Sequence, residues 1–462
     1  MSLSNGYFPE IWKKSFIIPL FKSGSKSNIS NYRGIAKLSV IPKLLEKIIT
    51  DILSHQISSS FSPAQHGFRK GCSATTNLLE FTSNIISSFN HHMQTDTIYT
   101  DFSKAFDKVN HDLLVYKLHT LGLSPLFLKW IKTYLINRQQ CVLFRNHKSK
   151  SIPVPSGVPQ GSHLGPVLFL IFINDLPSCI KYSKILMYAD DVKLFLSFKD
   201  PSQCSLLQVD LNNFLNWCNI NLMDLNLNKC KYMSFYRRSP VLCSYTFNNH
   251  QLEKVESFLD LGVLLDNKLS FNSHISQTVN KAKGVLGFIK RWGKEFEDPY
   301  ITRQLYVSLV RPILEYASVV WDPQYDVHVK KIESVQKQFM LFCLRSLPWN
   351  PNINLPPYES RLALIKLPTL KNRRIYLNTS FIINLINGVT VSEFLVHKLE
   401  FHIPFRPTRN YIPLKLQYFR NNYSNFDPFR RMCNDFNMLY DHIDFSYDVN
   451  AIKEKIRNFL NL

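Results

Sequence analysis

Hydrophobic positions alternate with polar ones along two stretches near the start of the chain, 15–21 (SFIIPLF) and 32–40 (YRGIAKLSV). Alternation is typical of strands, and the turn-rich segment between them, KSGSKSNISN, predicts a hairpin with a basic tip. The segment PKLLEKIITDILSHQI that follows carries apolar residues at 44, 45, 48, 49, 52 and 53. This spacing predicts a helix.

Further along, the pattern predicts a short strand, TIYTD, followed by two helices. The first helix covers residues 103–122, because Ser103 suits its N-cap and Gly122 suits the position after its end. The second helix begins at Ser124 and Pro125, which suit a cap and a first turn. Strand and helix therefore alternate in this part of the chain.

Three later stretches complete the pattern. CVLF (141–144) predicts another strand. A Gly- and Pro-rich loop, SIPVPSGVPQGSHLG, then opens an apolar helix, GPVLFLIFINDL, which is predicted to be buried. Residues 281–321 are amphipathic and basic, and they are predicted to be helical.

The apolar run KILMYADDVKLFLSF, from Lys184 to Phe198, is interrupted by two adjacent acids, Asp190 and Asp191. Apolar residues on both sides place these acids at a hairpin turn, a position that Asp also takes for structural reasons alone. A third acid, Asp101, ends the strand TIYTD. Carboxylates at neighbouring strand ends repel one another unless cations neutralise them, and Mg²⁺ is a natural cation for oxygen ligands. Two such ions, about 4 Å apart, promote phosphoryl transfer.

Charge and composition indicate the class of partner. The 462 residues carry a net charge of +21, which implies a polyanionic partner, either nucleic acid or an anionic membrane. No apolar run reaches the roughly 18–20 residues that a spanning helix needs, so nucleic acid is favoured. The nine cysteines are scattered, which disfavours a disulfide framework and a structural zinc site. With 45% apolar residues the chain is globular by composition.

Six segments resemble, in the same order and at similar intervals, the sequence blocks of non-LTR retrotransposon reverse transcriptases of the jockey or RTE kind. They are QHGFRKGCSATTNLL, YTDFSKAFDKVNHDLL, SGVPQGSHLGPVLFLIFINDLP, YADD, LNLNKCKYMSF and FLDLGVLLDNKLSFNSHI. The resemblance covers residues 8–275 and continues more weakly beyond them. It implies an α+β fold of the right-hand polymerase type, in which an antiparallel palm sheet carries the catalytic acids.

The same resemblance implies a domain order. Fingers and palm would occupy residues 1–265, a thumb-like helical region residues 266–349, and a mostly helical C-terminal extension of unknown role residues 350–462. Asp101, Asp190 and Asp191, with the carbonyl of Phe102, would hold two Mg²⁺ ions, with Mn²⁺ as an alternative. The residues implied to contact the incoming nucleotide or the template are Lys22, Arg33, Arg69, Phe106, Gln160 and Gly161.

For some of these residues a structural role is as plausible as the functional one. Lys229 would protonate the leaving pyrophosphate, with Lys231 as the nearby rival and a solvated surface lysine as the plain alternative. Phe106 would be a steric gate against ribonucleotides, but its spacing also suits a core residue. Arg69 would either bind the template or brace the fingers.

The segment FLDLGV, with Leu261 and Gly262, would form the primer grip. Gly34 stands where many relatives have proline, so the hairpin arm is expected to be more flexible. We recognise no upstream endonuclease domain, no zinc knuckle after the thumb and no RNase H carboxylate set. We therefore interpret the sequence as part of an element.

Three functions are compatible with these residues. The favoured one is an RNA-directed DNA polymerase that uses an RNA template, a DNA primer or target and deoxynucleoside triphosphates. An inactive, nucleic-acid-binding remnant is the main alternative. An RNA-directed RNA polymerase ranks lower, because Phe106 stands where such enzymes tend to place a sugar-binding acid. We expect an intracellular protein that is neither secreted nor membrane-bound, with the nucleus plausible although no signal is identified.

Overall fold

The computed structural model describes residues 2–296, 298–344, 356–402, 412–416 and 427–462. Its strands are β1 Lys14–Phe21, β2 Tyr32–Lys37, β3 Gln94–Thr100, β4 Arg138–Phe144, β5 His147–Lys148, β6 Ile152–Val154, β7 Lys184–Tyr188, β8 Asp191–Phe198, β9 Lys231–Phe235, β10 Thr246–Phe247, β11 His250–Gln251, β12 Glu253–Lys254, β13 Ser257–Asp260 and β14 Val263–Asp266. Its first seven helices are α1 Val40–Gln56, α2 Ala74–Asn90, α3 Ala105–Lys108, α4 His111–Thr120, α5 Pro125–Leu135, α6 Leu164–Ile173 and α7 Cys204–Ile220. The later helices are α8 Asn272–Trp292, α9 Pro299–Leu305, α10 Arg311–Glu315, α11 Ser318–Trp321, α12 Asp326–Leu344, α13 Tyr358–Ile365, α14 Leu370–Ile386, α15 Glu393–His397, α16 Pro428–Met438 and α17 Val449–Phe459.

The chain forms two compact units, each built from three segments. Unit 1 contains Met1–Arg69, Asp96–Tyr232 and Val241–Lys254. Unit 2 contains Lys70–Thr95, Met233–Pro240 and Val255–Leu462. The three-part division predicted from the resemblance stays a prediction, and its boundary at residue 349 lies outside the described residues. The α+β class is confirmed: among the described residues β14 is the last strand, and helices follow it.

The predicted N-terminal hairpin is confirmed in unit 1. Strands β1 and β2 are antiparallel, with Leu20 opposite Arg33, and they belong to a five-stranded sheet in the order β2-β1-β4-β5, where β6 also pairs with β4. Strand β2 ends at Lys37 and not at Val40 as predicted, because Val40 begins helix α1.

A second five-stranded sheet has the order β12-β9-β3-β8-β7. Strands β7 and β8 are antiparallel, as predicted for the strands beside the acids, whereas β12 pairs with β9 in parallel. The predicted apolar helix is α6, and nine of its ten residues are buried in the core of unit 1. A helix that is apolar on all sides must be covered on all sides, which explains its central position.

The prediction of a single helix over residues 103–122 is wrong. The structure has two helices, α3 and α4, with a break at Val109 and Asn110. The Oδ1 atom of Asn110 accepts a hydrogen bond from the N–H of Leu113 at 3.0 Å, so Asn110 caps a new helix. Helix α5 begins as predicted, with the Oγ of Ser124 accepting from Phe127 and Pro125 in the first turn.

In unit 2 the amphipathic region 281–321 is helical, as predicted, but it is divided. Helix α8 is followed by α9, a π-helical turn at Tyr306–Val310, α10 and α11. The ring of Tyr306 stacks on Phe339 of α12 with centroids 4.3 Å apart, and both residues are fully buried. This stack contributes to the hydrophobic core of unit 2.

Candidate active site

The two adjacent acids lie at a hairpin turn in unit 1, as predicted. Tyr188 of β7 pairs with Asp191 of β8, so Ala189 and Asp190 form a two-residue turn between the strands. Ala189 has a φ of +55°, and tight hairpin turns of this length require at least one such left-handed residue. Asp191 is exposed at the first position of β8, and Asp190 is half-buried.

Four charged groups influence one another around this turn. Burial raises the pKa of the Asp190 carboxyl group above its usual value, and the negative charge of Asp101 adds to that rise. A backbone hydrogen bond and the positive charges of Arg33 and Lys22 oppose the rise in pKa. Asp101, Arg33 and Lys22, which lie far from Asp190 in the sequence, therefore all act on it electrostatically.

Asp101 is held in place by a loop that also carries a predicted catalytic lysine. The backbone carbonyl of Asp101 accepts a hydrogen bond from the N–H of Asn226 at 2.7 Å, and Phe102 pairs with Leu225 in an antiparallel bridge. From the same loop the Nζ atom of Lys229 lies 3.3 Å from the Oδ2 atom of Asp101. Because the Lys229 side chain is 67% exposed, it remains accessible to a ligand at the acids.

The Gly-rich loop before α6 contacts the N-terminal hairpin. The carbonyl of Gln160 accepts a hydrogen bond from the N–H of Ala36 in β2 at 2.7 Å, and the Gln160 Nε2 atom donates to Asp107 at 2.8 Å. Gly161 has a φ of +123°, and a Cβ atom there would lie 2.5 Å from the carbonyl oxygen of Ala36. A side chain at this position would therefore push β2, the strand of Arg33, away from the loop.

Phe106 is half-buried, because its ring packs against the core while part of it stays exposed. Its ring stacks on Phe169 of α6 with centroids 4.3 Å apart, and it meets Phe68 edge-on at 6.4 Å. Its carbonyl accepts a hydrogen bond from Val158 at 2.8 Å, which attaches the Gly-rich loop to α3. One face of the ring is thus packed, and the residue stays a predicted steric gate.

Two of the other candidate side chains have partners within unit 1. The Nη1 atom of Arg69 donates to the carbonyls of Ser62 and Gln65 at 2.7 and 3.0 Å, which favours the bracing role over template binding. Lys231 forms an ion pair with Glu253 of the neighbouring strand β12. Of the two candidate lysines, Lys229 is therefore the one that contacts Asp101, a predicted catalytic acid.

The predicted primer grip lies in unit 2. Asp260 of β13 pairs with Val263 of β14, so Leu261 and Gly262 form the turn of a second tight hairpin. The hydroxyl group of Tyr316 donates a hydrogen bond to the carbonyl of Leu261 at 2.8 Å. The turn is thus fixed by a side chain from the end of α10, and its role in holding a primer stays a prediction.

Comparison with known proteins decides the family. The family described as Reverse transcriptase (RNA-dependent DNA polymerase) matches residues 22–279, which is more than half of the chain. The chain belongs to the reverse transcriptase family. RNA-dependent DNA polymerase is the enzyme class of this family, and the right-hand polymerase fold that the sequence blocks implied agrees with this membership.

Several relatives of this reverse transcriptase come from mobile elements of Drosophila melanogaster. The probable RNA-directed DNA polymerase from transposon BS is 27% identical over 379 residues, 77% of this chain and 42% of the relative. The RNA-directed DNA polymerase from mobile element jockey is 27% identical over 362 residues, 75% of this chain and 39% of the relative. The resemblance to non-LTR elements is confirmed, and the chain spans about two fifths of the length of these two relatives.

Telomerases are among the solved structures to which this chain shows a likeness. Apo telomerase from Candida tropicalis has a TM-score of 0.43 and 9% identity, covering 96% of this reverse transcriptase and 69% of the telomerase. The same enzyme truncated from its C-terminal domain has a TM-score of 0.39 and 11% identity, covering 57% and 55%. At these TM-scores the likeness supports no conclusion about function. In the described part of the chain, none of the helices has the length and apolarity to cross a membrane.

The described residues of this reverse transcriptase could bind a hard divalent cation only if water or a bound ligand supplied further oxygen atoms. Among the described residues, no three His, Cys, Asp or Glu side chains lie close enough together to hold a metal ion by themselves. Mg²⁺, however, usually binds through one or two carboxylates, with water and substrate phosphates completing its shell. The negative charges of Asp101 and Asp190 repel each other, and a bound cation would relieve this repulsion. The two carboxylates suit Mg²⁺, whereas Asp191 and the Phe102 carbonyl stay predicted ligands.

Sequence reasoning missed one side chain that contacts the catalytic turn. Gln65 is 1% exposed, and its Oε1 atom accepts a hydrogen bond from the N–H of Ala189 at 3.0 Å. A glutamine in a loop has no periodic pattern, so the sequence could not show that it is buried. Its one sequence signal is its place in the block QHGFRKG, in which the charged Arg69 is the residue whose type indicates a ligand.

Proposed function

We propose that this chain is the polymerase portion of a non-LTR retrotransposon, which extends a DNA 3′-hydroxyl group on an RNA template. The observation that carries the proposal is the meeting of Asp101, Asp190 and Lys229 with two cations of the N-terminal hairpin. A structural turn needs no such convergence, because a hairpin acid is satisfied by its own backbone.

In the proposed reaction the oxygen of the primer 3′-hydroxyl group attacks the α-phosphorus of a deoxynucleoside triphosphate. The bond from the α-phosphorus to the bridging oxygen breaks, the hydroxyl proton passes to solvent, and pyrophosphate leaves. Bound Mg²⁺ ions would lower the pKa of the attacking hydroxyl group and stabilise charge on the leaving oxygen. Asp101 and Asp190, with Asp191 and the carbonyl of Phe102, are the groups that would hold these ions.

The chain's own cations would act on the triphosphate. Arg33 and Lys22 lower the pKa of Asp190 through their positive charges, and they are the cations that would bind a triphosphate held at the acids. A guanidinium group can hold two phosphate oxygens at once, which fixes the geometry for in-line attack. The Nζ atom of Lys229 would give a proton to the leaving pyrophosphate, as a general acid.

The partners follow from the reaction. The proposed ligands are an RNA template, a DNA primer or target, deoxynucleoside triphosphates and Mg²⁺, with Mn²⁺ as a substitute. The net charge of +21 supports a nucleic-acid partner. We propose that the protein acts inside the cell, where such templates occur, with the nucleus as the plausible compartment.

Primer extension tests the proposal directly. The parent chain, Asp190→Asn and Asp112→Asn are compared on poly(rA)/oligo(dT) with dTTP and Mg²⁺. Asp112 is a matched control because its side chain is 89% exposed on α4, away from the catalytic turn. We expect the parent and Asp112→Asn to extend equally, and Asp190→Asn to lose at least about 100-fold in rate because it removes a metal-binding charge.

Two results would overturn the proposal. Equal extension by the parent and Asp190→Asn would show that polymerisation does not use this site. A parent that is folded and binds the duplex but does not extend it would identify a nucleic-acid-binding remnant instead.

A further inference from the structure

A short segment of the fingers is attached to the edge of the catalytic hairpin. The N–H of Met187 donates to the carbonyl of Ala64 at 2.8 Å, and the N–H of His66 donates to the carbonyl of Met187 at 2.9 Å. Gln65 itself forms a parallel bridge with Met187. The segment therefore follows β7 as one more strand-like partner and ends beside the turn.

The side chain of Gln65 completes this attachment at the turn itself. Its Oε1 atom accepts two hydrogen bonds, from the N–H of Ala189 at 3.0 Å and from the N–H of Gly67 at 2.7 Å. Its Nε2 atom lies 3.5 Å from the carbonyl of Ala189, a long contact. Because these groups are buried, no water can replace the acceptor without a rearrangement.

Gly67 has no side chain, and this lets the same segment approach the turn closely. A Cβ atom at this position would lie 2.3 Å from the nitrogen of Ala189 and 3.0 Å from the carbonyl carbon of Tyr188. The backbone of the fingers segment therefore packs directly on the backbone of the turn. This packing leaves the turn little room for an alternative conformation.

The turn needs such support, because Ala189 has an unfavourable backbone conformation. Its φ of +55° is in the left-handed region, where the Cβ of an alanine is crowded and glycine is the usual residue. A relaxed turn would redirect the N–H of Ala189 and swing the next residue, Asp190. The hydrogen bond to Gln65 is formed with Ala189 in this left-handed conformation, so it favours that conformation.

We propose that Gln65 is a positioning residue that holds the Tyr188–Asp191 turn, and through it the Asp190 carboxylate, in its catalytic orientation. The inference rests on the proposed polymerase function for its kinetic consequence, whereas the contact itself does not depend on that function. Gln65 acts through the backbone of the turn and not on substrate.

The chain offers a matched control for a substitution of Gln65. Gln208 of α7 also binds a backbone with both ends of its amide, accepting from the N–H of Thr246 at 2.9 Å and donating to its carbonyl at 2.8 Å. Gln65→Met and Gln208→Met remove the same chemical group and keep the length of the side chain. A merely structural role would give the two variants the same phenotype.

Steady-state extension with varied dTTP and varied Mg²⁺ distinguishes positioning from stability. For Gln65→Met we expect kcat to fall at least tenfold and the half-saturating Mg²⁺ concentration to rise at least threefold, with KM for dTTP changed less than threefold. For Gln208→Met we expect all three parameters to stay within twofold of the parent. A loss of kcat in Gln65→Met no larger than that in Gln208→Met would overturn the proposal.

Hydrogen exchange of the full-length protein supplies a readout that needs no activity. The peptide that contains Ala189 should exchange at least tenfold faster in Gln65→Met than in the parent and in Gln208→Met, because the amide loses its acceptor. Unchanged exchange would overturn the positioning role. If the parent fails to extend a primer, the proposed function fails, and the exchange rates still decide whether Gln65 holds the turn.

Discussion

Two lysines stand two positions apart at the edge of the site, but they contact different acids. Lys229 lies 3.3 Å from Asp101, whereas Lys231 is paired with Glu253. Asp101 is a proposed metal ligand and Glu253 is a residue of strand β12, so Lys229 is the lysine that we propose for the reaction. The sequence alone cannot distinguish the roles of the two lysines, because both have the same type and follow the same loop.

We expect Lys229→Ala to lower the maximal extension rate by about 100-fold, the contribution typical of a general acid. Lys231→Ala should extend at the parent's rate and lose only the ion pair with Glu253. Single-turnover extension at saturating dTTP measures the difference. Equal losses in the two variants would contradict the assignment of Lys229.

At the scale of single residues, the charged candidates for the site could be chosen from the sequence. Asp101 and Arg33 both act electrostatically on Asp190, and they could be chosen as candidates from the sequence because carboxylate and guanidinium groups indicate metal and phosphate chemistry by residue type. Their catalytic roles stay predictions. Gln65 could not be predicted, since its role depends on the backbone conformation of a turn more than a hundred residues away. Arg69 was ambiguous for a similar reason: its hydrogen-bond partners are carbonyl groups, which every residue has.

At the scale of elements, helix α16 packs on α14 in unit 2 through a buried polar contact. Asp435 is 7% exposed and accepts a hydrogen bond from the Nδ2 atom of Asn378 at 2.8 Å. Burial raises the pKa of Asp435 to about 6, although that hydrogen bond and the charge of Arg431 oppose the rise. The native protein therefore holds this proton more tightly than the unfolded chain.

A pH-dependent loss of stability follows for the parent. Between about pH 4 and pH 6 the unfolded chain releases this proton first, so the free energy of unfolding falls as pH rises. The Asp435→Asn variant has no proton to release there, so its stability relative to the parent should increase by about 2 kcal/mol from pH 4 to pH 7. Urea denaturation at several pH values measures this difference. Asp441→Asn, at an exposed position, is the control, and parallel curves for Asp435→Asn and the parent would contradict the prediction.

Elements with strong local signals were predicted well, and those defined by tertiary contacts were not. The start of α5 was predicted because Ser124 and Pro125 suit a helix start by their own chemistry. The break between α3 and α4 was missed, because Asn110 is acceptable inside a helix and its capping becomes decisive only when the chain changes direction there. Strand β2 was predicted too long because Val40 suits a strand as well as a helix.

At the scale of the whole molecule, the net charge of +21 determines how binding responds to salt. A protein that neutralises about six phosphates should lose about 10³-fold in affinity between 50 and 200 mM salt, through counterion release. We expect a loss of this order for a fluorescent RNA/DNA duplex, measured by anisotropy. Asp190→Asn should show the same slope, and an affinity independent of salt would contradict an electrostatic mode of binding.

The interleaving of the two units has a consequence for biosynthesis. Helix α2 belongs to unit 2, and its apolar residues Leu78, Phe81 and Ile85 are fully buried in the folded protein. The thiol of Cys72, just before this helix, donates to the carbonyl of Val391, which is 319 residues further along the chain. A nascent chain leaving the ribosome must therefore carry an exposed apolar helix while most of the protein is still being made. We therefore expect such a chain to need chaperones during its own translation.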